Sequence, residues 1–294
     1  MGRIRTLVSA KTWDCSYRLR QDRVGSISVC LSRGTGPTVF FIHGNSSCKE
    51  VFGYQFEALR RADFSVLAFD LPGHGQSGDA VCPEQTYSFP GYARVAHMLL
   101  DKLHFFHVCV VGWSLGGHIG LELLGSCPKV EALLITGTPP VKPGPKALAD
   151  AFLPSPTMEL AGKREYSEDD VLRYATAMLG EAKNPYLLQT VRRTHGDARS
   201  WMARNGLAGI GIDGRELVEA ESRPLAVIHG ANDPFIDLSY LKTIRYRNLW
   251  RHEVQVMEDA GHAPFLARPD AFNALLLEFL AEVFASEGVR AAPV

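Results

Sequence analysis

Ser114 lies between two glycines in Gly112-Trp113-Ser114-Leu115-Gly116-Gly117, a spacing that fits a nucleophile held at the apex of a sharp turn. The apolar run at 108–111 before it reads as a buried strand, and the pattern after it resumes as a helix. The plainer alternative is a glycine-rich turn whose serine only caps that helix. A serine hydroxyl is a weak nucleophile without a base and an orienting acid. His262, in the Gly261-His262 turn after the last strand-like run, stands out among the ten histidines by its place at a strand end. Asp233 occupies the turn after the preceding strand. Its competitors fit less well: Asp237 suits the start of the next helix, and Asp259 is too near His262 along one turn. Attack on a carbonyl also needs donors for the developing oxyanion. The backbone N–H of Leu115, next to the serine, is one. The second is the N–H of Asn45, in the His43-Gly44-Asn45 loop after an earlier strand, and the Asn45 side chain is available to substrate. His43 and His74 read as structural, and His118 as part of the elbow helix.

The elements that must carry these residues follow in a regular order. Residues 14–32 read as a hairpin turning near Asp22-Arg23-Val24-Gly25. Strands are expected at 38–42, 65–69, 107–112, 130–135, 225–230 and 253–257, with helical patterns at 50–62, from Tyr92 to Leu103, after the elbow and at 270–286. Alternating strands and helices imply a mostly parallel sheet covered on both faces, with its site beyond the strands' C-terminal ends. The rhythm breaks between 141 and 221, where a proline-rich opening leads into helical patterns. Ser167 and Asp170 have the spacing of a capping box there. The organisation expected is therefore a core of 1–140 and 222–294 with a helical cap at 141–221.

Composition narrows the class. The 294 residues are 46% hydrophobic and 21% charged, enough for one large core with an insertion. A formal net charge of −1 offers no electrostatic case for nucleic acid or anionic membrane. No apolar run has the length of a membrane span, and no signal core follows the arginines near the N-terminus, so a cytoplasmic protein is expected. Cys15, Cys30, Cys48, Cys82, Cys109 and Cys127 are scattered without a metal-ligand spacing and read as reduced thiols.

Several stretches are more specific. HGNSS at 43–47, DLPGHGQS at 70–77, YSFPGYA at 87–93, GWSLGGHIG at 112–120, ITGTPPV at 135–141, YSEDDVLRYA at 166–175 and AGHAPF at 260–265 resemble the α/β-hydrolase-fold N-acyl-homoserine lactonases, metal-independent enzymes that open the lactone of bacterial signal molecules. The chain order Ser, Asp, His is that of α/β-hydrolases. The resemblance covers nearly the whole chain, cap included. It implies an α/β-hydrolase fold, Ser114 as nucleophile, His262 as base and Leu115 with Asn45 as oxyanion donors. The family carries glutamate where this chain has Asp233, so the acid's turn is expected to sit nearer the histidine. It also implies that Tyr174, in the cap, hydrogen-bonds substrate. Trp113 is expected to line the pocket, and Phe89, Phe152, Leu153 and Met158 are available to line an acyl tunnel. No cofactor or metal is implied. The partner expected is a small acyl lactone or ester, and the chain a monomer or weak homodimer. The alternatives are a general carboxylesterase or lactonase of the same fold, an acylase, and a hydrolase-like ligand receptor.

Overall fold

The computed structural model describes residues 16–21 and 25–285. Eight strands form one sheet: β1 (Ser16–Gln21), β2 (Gly25–Ser32), β3 (Thr38–Ile42), β4 (Ser65–Phe69), β5 (Val108–Trp113), β6 (Val130–Thr136), β7 (Leu225–Gly230) and β8 (Gln255–Met257). Their order is β1-β2-β4-β3-β5-β6-β7-β8. β2 runs antiparallel to both neighbours, and every pair from β4 to β8 is parallel. The expected hairpin is present as β1 and β2; its turn at 22–24, like Cys15 and the N-terminal residues, lies outside the described residues.

β3, β4, β5 and β7 are buried at every position. This is why they read as unbroken apolar runs rather than alternating ones. Two helix groups cover the sheet. Gly53–Arg61 packs with Pro269–Ala285, while Phe89–Lys102 and Gly214–Ala220 pack with Leu115–Ser126, the elbow helix. The register aligns the strand ends that matter: Ile42 pairs with Gly112, and Trp113 with Thr136. The loops at 43–47, 114–116 and 137–140 therefore emerge side by side.

Between β6 and β7 the chain forms helices Pro145–Ala151, Glu168–Leu179, Pro185–Arg193, Gly196–Leu207 and Gly214–Ala220. The helix at 168 starts with the capping box read from sequence: Ser167 Oγ accepts from Asp170 N–H, and the Asp170 carboxylate accepts from Ser167 N–H. The segment docks on the core through backbone acceptors. His195 N–H donates to Gly73 O at 2.8 Å, and Asn205 Nδ2 donates to Glu84 O and Tyr87 O, each at 3.0 Å. Among the described residues no helix is long and apolar enough to cross a membrane. Cys30, Cys48, Cys109 and Cys127 are buried thiols and Cys82 is an exposed one.

Candidate active site

Ser114 follows β5 with φ 54° and ψ −117°, a backbone conformation unfavourable for a residue with a side chain. The flanking glycines show why the turn tolerates nothing larger. A Cβ on Gly116 would lie 1.9 Å from Ile42 O, and one on Gly112 would lie 2.4 Å from Gly116 O. The apex is pinned by Ser114 N–H donating to Thr136 O at 3.0 Å and by Thr138 Oγ1 donating to Ser114 O at 2.9 Å. Trp113 and Leu115 are buried, whereas Ser114 is half-buried. The strained apex thus lifts one side chain out of a closed core.

His262 and Asp233 are brought together from the ends of β8 and β7. His262 Nδ1 lies 2.8 Å from Asp233 Oδ2, with the two side chains 4% and 0% exposed. The other carboxylate oxygen accepts from Phe235 N–H at 2.8 Å and Ile236 N–H at 3.3 Å. Burial pushes the Asp233 carboxyl up. The imidazole of His262, His229 and the Phe235 N–H outweigh it and hold the group below the usual carboxylate range. Gly137, at φ +58°, makes room for the ring: a Cβ there would lie 2.9 Å from His262 Cε1. Because Gly137 follows the strand end that binds Ser114 N–H, the imidazole stands beside the elbow. No hydrogen bond joins Ser114 Oγ to His262 among the described residues. His229, which carries no sequence signal beyond its residue type, is a second buried imidazole at this acid, with Nδ1 3.9 Å from Asp233 Oδ2.

The loop after β3 closes the other side. A Cβ on Gly44 would lie 3.2 Å from Ser114 Cβ, so the Asn45 backbone runs close past the serine. Leu115 opens its helix, and such first-turn N–H groups lack intrahelical acceptors. The Asn45 side chain reaches the cap: Nδ2 donates to Ala161 O at 2.8 Å and lies 3.4 Å from Tyr174 Oη. Burial pushes the Tyr174 phenol up to about 12, so it is a neutral hydroxyl. His43 ties the loop down, donating from Nδ1 to Gly44 O at 2.7 Å and accepting from Leu71 N–H at 3.0 Å. Burial lowers its pKa to about 4, and it lowers that of His74 well below the usual range. Both are neutral structural groups, as their positions in glycine turns suggested. His118 lies on the elbow helix and stacks on Phe89 with ring centroids 4.7 Å apart.

One expectation about the pocket walls changes. Trp113 exposes no surface. Its ring packs against Phe265, and its Nε1–H donates to His262 O at 2.8 Å, so it braces the histidine loop from behind instead of lining the pocket. A cleft of about 1090 Å³ is bordered by His262 and walled by Tyr54, Met178, Leu179, Tyr186 and Leu266. Neither Ser114 and Tyr174 nor Phe89, Phe152, Leu153 and Met158 line it. Phe89 is taken up by His118, and Phe152 and Leu153 bond to the 235–236 segment. Sequence periodicity identifies apolar residues but not which of two crossing elements each one faces.

Comparison with known proteins agrees with this architecture. Residues 39–275 match the alpha/beta hydrolase family. A crystal structure of the N-acyl homoserine lactonase AidH, as a mutant complexed with N-hexanoyl homoserine lactone, superposes with a TM-score of 0.88 at 38% identity, covering 92% of this chain and 98% of that one. AidH complexed with N-butanoyl homoserine gives 0.88 at 37%, covering 95% and 100%. Curated relatives are more distant. A poly(3-hydroxyalkanoate) depolymerase of Ectopseudomonas oleovorans is 26% identical, covering 83% of this chain and 84% of its own. A pimeloyl-[acyl-carrier protein] methyl ester esterase of Nitrosomonas europaea is 26% identical, covering 81% and 94%. With its mostly parallel sheet, strained serine elbow and helical segment between β6 and β7, this chain belongs to the α/β-hydrolase family, and within it is similar to an N-acyl homoserine lactonase.

Proposed function

We propose that the protein is a serine-dependent lactonase that opens the ring of N-acyl-homoserine lactones, acting in the cytoplasm on a small diffusible signal. The observation that carries this reading is the 38% identity to AidH over 92% of the chain, a span that includes the cap. Caps differ among hydrolases that share a core, so likeness there bears on substrate where the triad alone does not.

In this mechanism His262 takes the Ser114 proton, and Asp233 holds the imidazole with its proton on Nδ1. The alkoxide attacks the lactone carbonyl. The N–H groups of Leu115 and Asn45 receive the oxyanion, and the ring opens when its oxygen leaves as an alkoxide protonated by His262. Water, deprotonated by the same histidine, releases the N-acyl-homoserine and regenerates the serine. Tyr174 offers its hydroxyl to the substrate's amide carbonyl. The cleft beside His262 offers an apolar wall to the acyl chain.

The ester-hydrolysing curated relatives favour one second reading, a carboxylesterase using the same groups. Incubation with acyl-homoserine lactones of several chain lengths, with products identified by mass, separates the two. Ring-opened product with the amide intact is expected. Turnover of simple esters alone selects the esterase, and free homoserine lactone indicates an acylase. Ser114→Ala is expected to abolish turnover and a chelator to leave it unchanged, since the nucleophile is a side-chain hydroxyl; the opposite result in either case rejects the mechanism.

A further inference from the structure

Tyr166, the first residue of the cap stretch 166–175, has no role in the chemistry above, yet both cap contacts of Asn45 lead back to it. Its hydroxyl donates to Leu160 O, in the turn Met158–Gly162. The next carbonyl of that turn, Ala161 O, accepts from Asn45 Nδ2 at 2.8 Å. Its ring meets the Tyr174 ring edge to face, with centroids 5.9 Å apart at 73°. Tyr174 Oη is the second atom near Asn45 Nδ2. A face of the Tyr166 ring is covered by Arg199, whose guanidinium carbon lies 3.9 Å from the ring centroid.

Arg199 is an unusual anchor. It is 3% exposed and hydrogen-bonds carbonyls instead of a carboxylate: Lys163 O at 2.7 Å, Arg164 O at 2.8 Å and Thr194 O at 2.9 Å. A guanidinium fixed by three backbone acceptors has one place left to put its flat face, and a tyrosine ring is a favourable one. Tyr166 is therefore clamped on one face, and its ring contact and its hydroxyl set the positions of Tyr174 and Ala161.

We propose that Tyr166, clamped by Arg199, is a positioning residue that sets Tyr174 and the Asn45 amide for recognition of the substrate's N-acyl group. The inference rests on the reading that Tyr174 meets that amide. Tyr166 also meets Ser46, the residue after Asn45, while the preceding part of that loop is held by His43 on Gly44 O and by Gly44 packed on Trp113. Loss of Tyr166 then affects binding of the amide more than bond breaking at the ester.

Arg199→Met removes three buried bonds and risks unfolding the cap, so Tyr166→Leu is the decisive variant, with Tyr166→Phe retaining the ring. For Tyr166→Leu, KM for N-hexanoyl homoserine lactone is expected to rise about tenfold with kcat within twofold. Hydrolysis of p-nitrophenyl acetate, which lacks an amide, is expected to stay within twofold. Tyr166→Phe falls between wild type and leucine. Added to Tyr174→Phe, Tyr166→Leu is expected to cost less than it does alone, because one of its two effects acts through the Tyr174 hydroxyl. Equal losses on both substrates, or additive losses with Tyr174→Phe, overturn the proposal. A crystal structure of Tyr166→Leu gives an answer independent of turnover: Tyr174 Oη is expected to leave Asn45, and an unchanged contact overturns the proposal. A wild-type protein inert toward lactones rejects the function proposed above, while that structure still decides the role of Tyr166.

Discussion

Replacing Asp233 by asparagine tests the proton path with no change in side-chain size. In the wild type, one carboxylate oxygen accepts from Phe235 and Ile236 N–H and the other faces His262 Nδ1 at 2.8 Å. An asparagine oxygen takes over the two backbone bonds, each worth about 1 kcal/mol. Its NH2 then points at His262. The flipped amide would set an NH2 against two buried N–H groups, at about 1–3 kcal/mol for each unmatched donor. The structure therefore fixes the amide orientation. Facing a donor, Nδ1 must accept, the ring proton moves to Nε2, and the lone pair that would deprotonate Ser114 is lost. A histidine held in the wrong tautomer lowers kcat by about 10⁴-fold in a serine triad, or about 5 kcal/mol of transition-state stabilisation. The assay is single-substrate lactone kinetics at neutral pH, with thermal melting as the folding control. Asp233→Glu, which restores an acceptor, is expected to retain most of the rate. A folded Asp233→Asn enzyme keeping more than a tenth of wild-type kcat would refute the argument.

Three other outcomes follow from buried groups. Ser114→Gly relieves the strained φ of 54°, so it should abolish turnover while raising stability by about 1 kcal/mol; a lower melting temperature than wild type contradicts the strain. Burial holds His43 at about 4 against an ordinary value of 6.5, so the unfolded chain binds its proton first. The stability His43 contributes is complete above pH 6.5 and falls by about 3 kcal/mol as pH drops to 4, which a urea midpoint unchanged between pH 7 and 4.5 would disprove. Lys49, 2% exposed, bridges Asp70 and Glu50 at 2.8 Å each, so Lys49→Met removes the cation from two buried carboxylates and should cost about 3–5 kcal/mol in urea denaturation. A loss below about 1 kcal/mol would mean the carboxylates find other partners.

Much of this was legible because it is local. The strands that read as apolar runs are those buried on both faces, so their ends, and the loops that carry Ser114, Asn45, Asp233 and His262, could be placed from the pattern. The capping box at Ser167 and Asp170 is a contact three residues long and needs no tertiary context. The polar contacts that shape the site were not legible, since each joins residues far apart in the chain. Asn45 meets Ala161 across 116 residues, and Lys49 meets Asp70 across 21. Trp113 was misplaced for the same reason: the elbow spacing says where its backbone goes, but Phe265 and the His262 carbonyl decide which way its ring faces. His229 and Arg199 had no signal beyond residue type.

The sequence by itself determined the elbow, because only glycines at 112 and 116 permit a chain to pass Ile42 O and Gly116 O so closely. It also determined the succession of strands and helices along the chain and the break between 141 and 221, because buried strands and amphipathic helices leave different periodicities. Tertiary structure alone decided which carboxylate meets His262, which side of the histidine is open, and how the cap grips Asn45. Those choices depend on distances between strand ends and on crossing helices, which no spacing along the chain records.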